Sequence, residues 1–107
     1  NPTGYGRIVH HKEGSVQKIV EEKDASALEK NIKEINSGVY IFKRQMLCDA
    51  LKHITPNNAQ QEYYLTDVFH YFSHLQFPVV SLQAENTNEV LGVNTVNDLE
   101  RLQTLFK

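Results

Sequence analysis

The sequence predicts an α/β fold. Three observations carry this. Short apolar runs of strand length alternate along the chain with stretches of helical periodicity. The run Val39-Tyr40-Ile41-Phe42 is continuously apolar, as in a strand covered on both faces. Glycine and proline, at 5 and 3 of 107 residues, are too sparse for a low-complexity chain.

The elements follow in order. Asn1 to Gly6 is a loop, with two glycines bracketing Tyr5. Ile8 to His10 reads as a strand. Lys12-Glu13-Gly14-Ser15 is a turn with Gly14 at positive φ, and Val16 to Glu21 returns as the second strand of a hairpin. Asp24 to Asn31 is a short helix. Ser26 and Glu29 have capping-box spacing, Asp24 is a rival cap, and Leu28 and Ile32 form a thin apolar face. Ile35 to Phe42 reads as the clearest strand. Asn36 and Gly38 interrupt its start, either as a bulge or because the chain needs a polar group there.

Gln45 to His53 is an amphipathic helix with Met46, Leu47, Ala50, Leu51 and Ile54 on one face. A polar loop follows over 55–61. Glu62 to Leu75 is the next helix, with Tyr64, Leu65, Val68, Phe69, Phe72 and Leu75 as its stripe. Val79 to Leu82 reads as a strand and 84–89 as loop. Thr95 to Phe106 is the last helix, with Val96, Leu99, Leu102 and Phe106 inward. No linker divides the chain and no repeat is visible, so one structural unit is expected.

Composition excludes several classes. Eleven Lys+Arg against 13 Asp+Glu give a net charge of -2, which is no electrostatic grip for nucleic acid. One cysteine allows no internal disulfide and suits a reducing, cytoplasmic setting. No apolar run reaches the ~18–20 residues of a membrane span, and no signal sequence opens the chain. The chain opens on Asn1 without Met, which suggests a piece of a longer protein.

The residues that carry chemistry are few. No Gly-x-Ser-x-Gly elbow, phosphate loop or Cys-x-x-Cys pair occurs, and no catalytic nucleophile is expected. His70 and His74 have the i, i+4 spacing of a metal pair but lack the intervening glutamate, so a solvated helix face is the simpler reading. His10, His11 and His53 have no evident partner and read as surface. Cys48 reads as a packed or partly exposed thiol. Glu21, Glu22, Lys23 and Asp24 cluster where a strand ends. They form either a solvated loop or the carboxylate rim at which open α/β sheets bind ligands. Glu62 and Asp67 suit a helix start. Asn94 is either a helix N-cap or an oxygen donor to a hard cation, and Thr95 with Asp98 offers a competing cap.

Ordered stretches then carry a resemblance. They are Pro2-Thr3-Gly4-Tyr5-Gly6-Arg7-Ile8, Ile19-Val20-Glu21-Glu22-Lys23-Asp24-Ala25, Glu34-Ile35-Asn36-Ser37-Gly38-Val39, Asn57-Asn58-Ala59-Gln60 with Glu62-Tyr63-Tyr64-Leu65-Thr66-Asp67, and Leu91-Gly92-Val93-Asn94. Together they resemble the second half of the uridyltransferase domain of the bacterial bifunctional N-acetylglucosamine-1-phosphate uridyltransferase and glucosamine-1-phosphate acetyltransferase family. The resemblance implies that residues 1–107 are the C-terminal portion of a Rossmann-like nucleotide-diphospho-sugar transferase fold, a mixed β-sheet flanked by helices. It places the nucleotide-binding front half and the left-handed β-helix acetyltransferase domain outside this chain.

The implied reaction takes UTP and N-acetylglucosamine 1-phosphate to UDP-N-acetylglucosamine and pyrophosphate, for cell-envelope synthesis. The resemblance implies Mg²⁺ as cofactor and a homotrimeric parent. It implies substrate-binding roles for Gly6 against the sugar nucleotide, Glu21 and Asn36 on the sugar, and Asn94 on both ligand and Mg²⁺. Tyr64 and Thr66 fall near the N-acetyl pocket. The family usually has glycine where this chain has Gln61, which strains that loop if φ is positive there. A nucleotidyltransferase for another sugar 1-phosphate and a non-catalytic interaction module are the alternatives. The chain by itself is expected to be inactive and to self-associate through uncovered strand edges.

Overall fold

The computed structural model describes residues 1–106. Its centre is an antiparallel hairpin of β1 (Arg7–His10) and β2 (Val16–Val20), paired Arg7 with Val20 and Ile8 with Ile19, with a register shift between Val9 and His10. The turn follows the sequence expectation, and Gly14 sits at φ +107. A 3₁₀ turn at Glu22–Asp24 leads to α1 (Ala27–Lys30), capped by Ser26 in a reciprocal capping box with Glu29. The rival cap Asp24 lies in the 3₁₀ turn instead. Leu28, expected inward, is exposed.

α2 (Arg44–Leu51) and α3 (Asp67–His74) close one face of the hairpin. Ile19, Ala50, Val68, Phe69 and Phe72 form the core, with Ile8, Tyr40, Phe42, Met46, Leu47, Ile54, Tyr71 and Val79 packed around it. Phe69 sits among the aromatics, its ring centroid 5.3 Å from that of Tyr40 and 5.5 Å from that of Phe42. Such ring pairs add about 0.5–1.5 kcal/mol beyond the area they bury.

The α/β class holds, but the sheet is narrower than the sequence predicts. Ile35 to Phe42 is not a strand. It touches β1 only through an isolated bridge from Ile35 to Arg7, with the Ile8 amide donating to the Glu34 carbonyl at 3.0 Å. Beyond Gly38 the side chains alternate. Tyr40 and Phe42 pack on the core, whereas Val39 and Ile41 are exposed, Ile41 completely. The run has strand periodicity but no neighbouring ladder, and a strand needs a partner to satisfy its backbone.

Val79 to Leu82 fails as a strand for the same reason. One bond, from the Val16 amide to the Val79 carbonyl at 2.8 Å, ties it to β2, while Val80 and Leu82 are exposed.

α3 begins five residues later than expected. Asn58 organises the preceding loop, accepting from the amides of Gln60 and Glu62 at 3.2 Å and donating to the Glu62 carbonyl at 2.6 Å. Gln61 takes φ +54, so helical hydrogen bonding cannot start there. Leu65 and Leu75, at the ends of the expected stripe, are exposed.

A second 3₁₀ turn (Thr87–Val90) precedes α4 (Val96–Leu105). α4 forms as expected but buries no residue. Val96, Leu99 and Phe106 are exposed, contrary to the inward face expected of them.

Candidate functional site

Three of the four residues singled out in the sequence meet at one place. Gly6 precedes β1 and is buried, Glu21 follows β2, and Asn36 follows the bridge at Ile35. The Asn36 amide donates to the Gly6 carbonyl at 2.9 Å. A Cβ built on Gly6 would lie 3.4 Å from Glu21 Oε2 and from Ile19 Cγ2. These are ordinary van der Waals distances, so the chain itself tolerates a methyl here, but the methyl would sit against the Glu21 carboxylate and shield one of its oxygens.

The other oxygen, Oε1, accepts from the Thr66 hydroxyl at 3.3 Å. Thr66 is buried and occupies the N-cap position of α3, yet makes no side-chain cap bond to that helix. Thr66 has helical angles, φ -61 and ψ -18, rather than the extended backbone of a capping residue, and its hydroxyl donates to the site. A carboxylate accepts at about four lone-pair positions, so Glu21 keeps capacity for further donors such as sugar hydroxyls.

Arg7 fastens the three segments together. Its side chain is 2% exposed and pairs with Glu22 at 2.5 Å. Nε donates to the Ile32 carbonyl at 3.2 Å, one Nη to the Lys30 carbonyl at 3.4 Å and the other to the Tyr5 carbonyl. The guanidinium fork therefore holds the Gly6 loop, the Glu21 turn and the approach to Asn36 at once. The sequence reading passed over Arg7. Only its place beside Gly6 in the quoted motif hinted at a fixed position.

Asn94 stands apart. The cap of α4 is Thr95, in a capping box with Asp98, so the helix does not use the Asn94 side chain. The Asn94 backbone amide donates to Asp98 at 3.1 Å, and its side chain makes no hydrogen bond among the described residues. What connects this segment to the rest is Tyr5, whose hydroxyl accepts from the Gly92 amide at 2.9 Å. Tyr5 thus links the loop of Gly6 to the chain two residues before Asn94.

Beside Glu21 runs an open cleft of about 510 Å³, lined among others by Lys18, Asp24, Tyr64, Asp67 and His70. Its charge is mainly acidic. Lys18 is engaged with Glu29 at 2.9 Å. Asp24 accepts from the Ala59 amide at 2.7 Å and so pins the loop that carries Tyr64, whose hydroxyl accepts from Gln60 at 2.7 Å. Burial raises the Asp67 carboxyl above its ordinary range, opposed by His70 and reinforced by Asp24.

The histidines are less isolated than the sequence implied. His10 bridges the Gly14 carbonyl at 2.7 Å and Glu34 at 2.5 Å, His11 meets the Ser73 hydroxyl at 2.6 Å, and His53 stacks on Tyr71 at 4.5 Å. His70 and His74 are exposed on α3, and no group of three or more His, Cys, Asp or Glu among the described residues is placed to hold a metal. Cys48 is exposed.

The nucleotidyl transferase family pattern matches residues 1–87. The chain belongs to the nucleotidyl transferase family. Gly6, Glu21 and Asn36 lie inside the matched stretch, and Asn94 lies beyond it. The bifunctional protein GlmU of Acetivibrio thermocellus is 52% identical over 94 residues, covering 88% of this chain and 20% of that protein. GlmU of Lactococcus lactis subsp. lactis is 53% identical over 94 residues, again 20% of its length. GlmU of Pelotomaculum thermopropionicum is 48% identical over all 107 residues, or 23% of its own length. The chain therefore spans about a fifth of the length of the curated relatives it matches.

Proposed function

We propose that this chain is the sugar-binding portion of a uridyltransferase that makes UDP-N-acetylglucosamine and pyrophosphate from UTP and N-acetylglucosamine 1-phosphate. The observation that supports this reading is the convergence of Gly6, Glu21 and Asn36 from three separate segments. Glu21 offers acceptors to sugar hydroxyls, Asn36 offers an amide, and Gly6 lets the backbone approach closely. Tyr64 and Thr66 stand at the edge where an N-acetyl group fits. No residue acts as a nucleophile. The attacking oxygen belongs to the sugar phosphate, and these side chains hold and orient it.

The cleft argues for a neutral ligand portion. Glu21, Asp24 and Asp67 line it, and its one lysine is paired with Glu29. Beyond the paired Lys18, only the side chains of His53, His70 and His74 offer a triphosphate positive charge there, against three carboxylates. Turnover therefore requires groups beyond these, and the chain alone is expected to release no pyrophosphate.

Mg²⁺ fits in the same limited sense. It usually keeps several waters and takes one or two protein ligands alongside substrate phosphates. Asn94, with its side-chain oxygen unspent by the helix cap, would be one of them. The ion's chemistry is neutralisation of phosphate charge.

The parent assembly is proposed to be a cytoplasmic homotrimer serving cell-envelope synthesis. No helix among the described residues is long and apolar enough to cross a membrane. Exposed Val39, Ile41, Val80 and Leu82 support self-association of this chain.

Calorimetric titration of the 107-residue chain tests the sugar assignment. UDP-N-acetylglucosamine is expected to bind in the millimolar range, with UDP alone weaker. Glu21→Ala should remove the difference between the two. Equal binding of both by the unaltered chain would contradict the assignment.

A further inference from the structure

The Asn36 side chain has a fixed polarity. Its Oδ1 accepts from the Gly38 backbone amide at 3.0 Å and from the Tyr40 hydroxyl at 2.9 Å. A backbone N–H only donates, so the atom facing Gly38 must be the amide oxygen. Two donors then fill both lone pairs of that oxygen. The NH₂ end has no hydrogen-bond partner among the described residues. Rotating the amide by half a turn would set NH₂ against N–H and forfeit both bonds.

Tyr40 is well placed to enforce this. Its ring packs between Phe42 and Phe69, at centroid distances of 5.7 and 5.3 Å. Packing alone would be served equally by phenylalanine, so the hydroxyl has a separate task. Burial pushes the phenol pKa up, the Asn36 hydrogen bond opposes that, and Glu21 adds to the rise, so the net shift is upward and the group stays a neutral donor through the physiological range.

We propose that Tyr40 is a positioning residue: its hydroxyl locks the Asn36 amide so that only NH₂ donors face the ligand, opposite the acceptor oxygens of Glu21. The inference rests on the sugar-site reading above. It gives the site a split polarity, in which Asn36 reads an acceptor oxygen of the ligand and Glu21 reads its hydroxyls.

The test compares the unaltered chain with Tyr40→Phe and Asn36→Asp by NMR. In the ligand-free protein, the Asn36 side-chain amide is expected to be rigid and to loosen in Tyr40→Phe, with backbone shifts elsewhere unchanged. Equal order parameters in the two proteins would overturn the proposal. On titration with UDP-N-acetylglucosamine, Tyr40→Phe should bind about three- to tenfold more weakly, the value of one neutral hydrogen bond. Asn36→Asp keeps acceptors for Gly38 and Tyr40 but loses the NH₂, and should bind more weakly still. Unchanged affinity in either variant would also overturn the proposal. Failure of the unaltered chain to bind would sink the sugar assignment instead, while the order-parameter comparison would still decide whether Tyr40 fixes the amide.

Discussion

α3 and α4 invert each other. α3 has no side-chain cap, since Thr66 at its start already has helical backbone angles and donates to Glu21, yet it buries Val68, Phe69 and Phe72. α4 is longer and begins with a complete capping box, yet buries nothing. Helix formation and helix burial therefore have separate causes here. Local hydrogen bonding defines α4. Packing against β2 and α2 holds α3, which has no side-chain cap.

The largest expected effect breaks that contrast at α3. Phe69→Ala should cost about 3–5 kcal/mol, enough to unfold a chain of this size or leave it marginal. Leu99→Ala on α4 should change global stability by less than about 0.5 kcal/mol. Urea unfolding of both variants checks this. Similar losses would mean that α4 packs in solution.

Arg7→Met comes next. It strands Glu22 and three backbone carbonyls. The cost should be about 2–4 kcal/mol, below the full penalty for breaking a buried pair because Glu22 keeps some solvent. Thermal melts would show it, and a loss under about 1 kcal/mol would remove Arg7 from the centre of the site.

Thr95→Ala should weaken α4 by about 1 kcal/mol while leaving the global transition in place. Carbon chemical shifts over 96–105 would report the helix loss. A fall in global melting temperature would tie α4 to the core.

The smallest effect is pH-dependent and belongs to the hairpin. Donation to the Glu34 carboxylate, then to the Gly14 carbonyl, raises His10 above the ordinary histidine value of 6.5. Its stabilisation is fully present below that value and is lost as pH rises through the raised pKa. An NMR titration midpoint at or below 6.5 for His10 would contradict the bridge, and Glu34→Gln should lower the midpoint.

The same contrast explains what the sequence made legible. The hairpin, α2, and the Ser26 and Thr95 capping boxes rest on contacts within a few residues, so their signals lie in adjacent positions. Val39–Phe42 and Val79–Leu82 have strand composition, but a strand exists only with a partner, and periodicity does not say whether the partner is in reach. Gln61 moved the start of α3 because one positive φ outweighed a stripe of apolar residues.

At the site, Gly6, Glu21 and Asn36 were identifiable from ordered motifs, and the structure brings them together. Arg7 and Tyr40 were not, because a buried arginine and a core tyrosine look ordinary until their partners are known. Thr66 has a place near the N-acetyl pocket only through the resemblance, and its hydroxyl donates to a carboxylate 45 positions away.

In the proposed function, Gly6, Glu21 and Asn36 form one sugar-binding site. An ¹⁵N NMR titration of the chain with UDP-N-acetylglucosamine tests it most directly. Shifts are expected to concentrate at those three residues and at Thr66, with α1 and the outer face of α4 unmoved. Shifts scattered over the exposed apolar residues, or none at millimolar ligand in a well-dispersed spectrum, would contradict it.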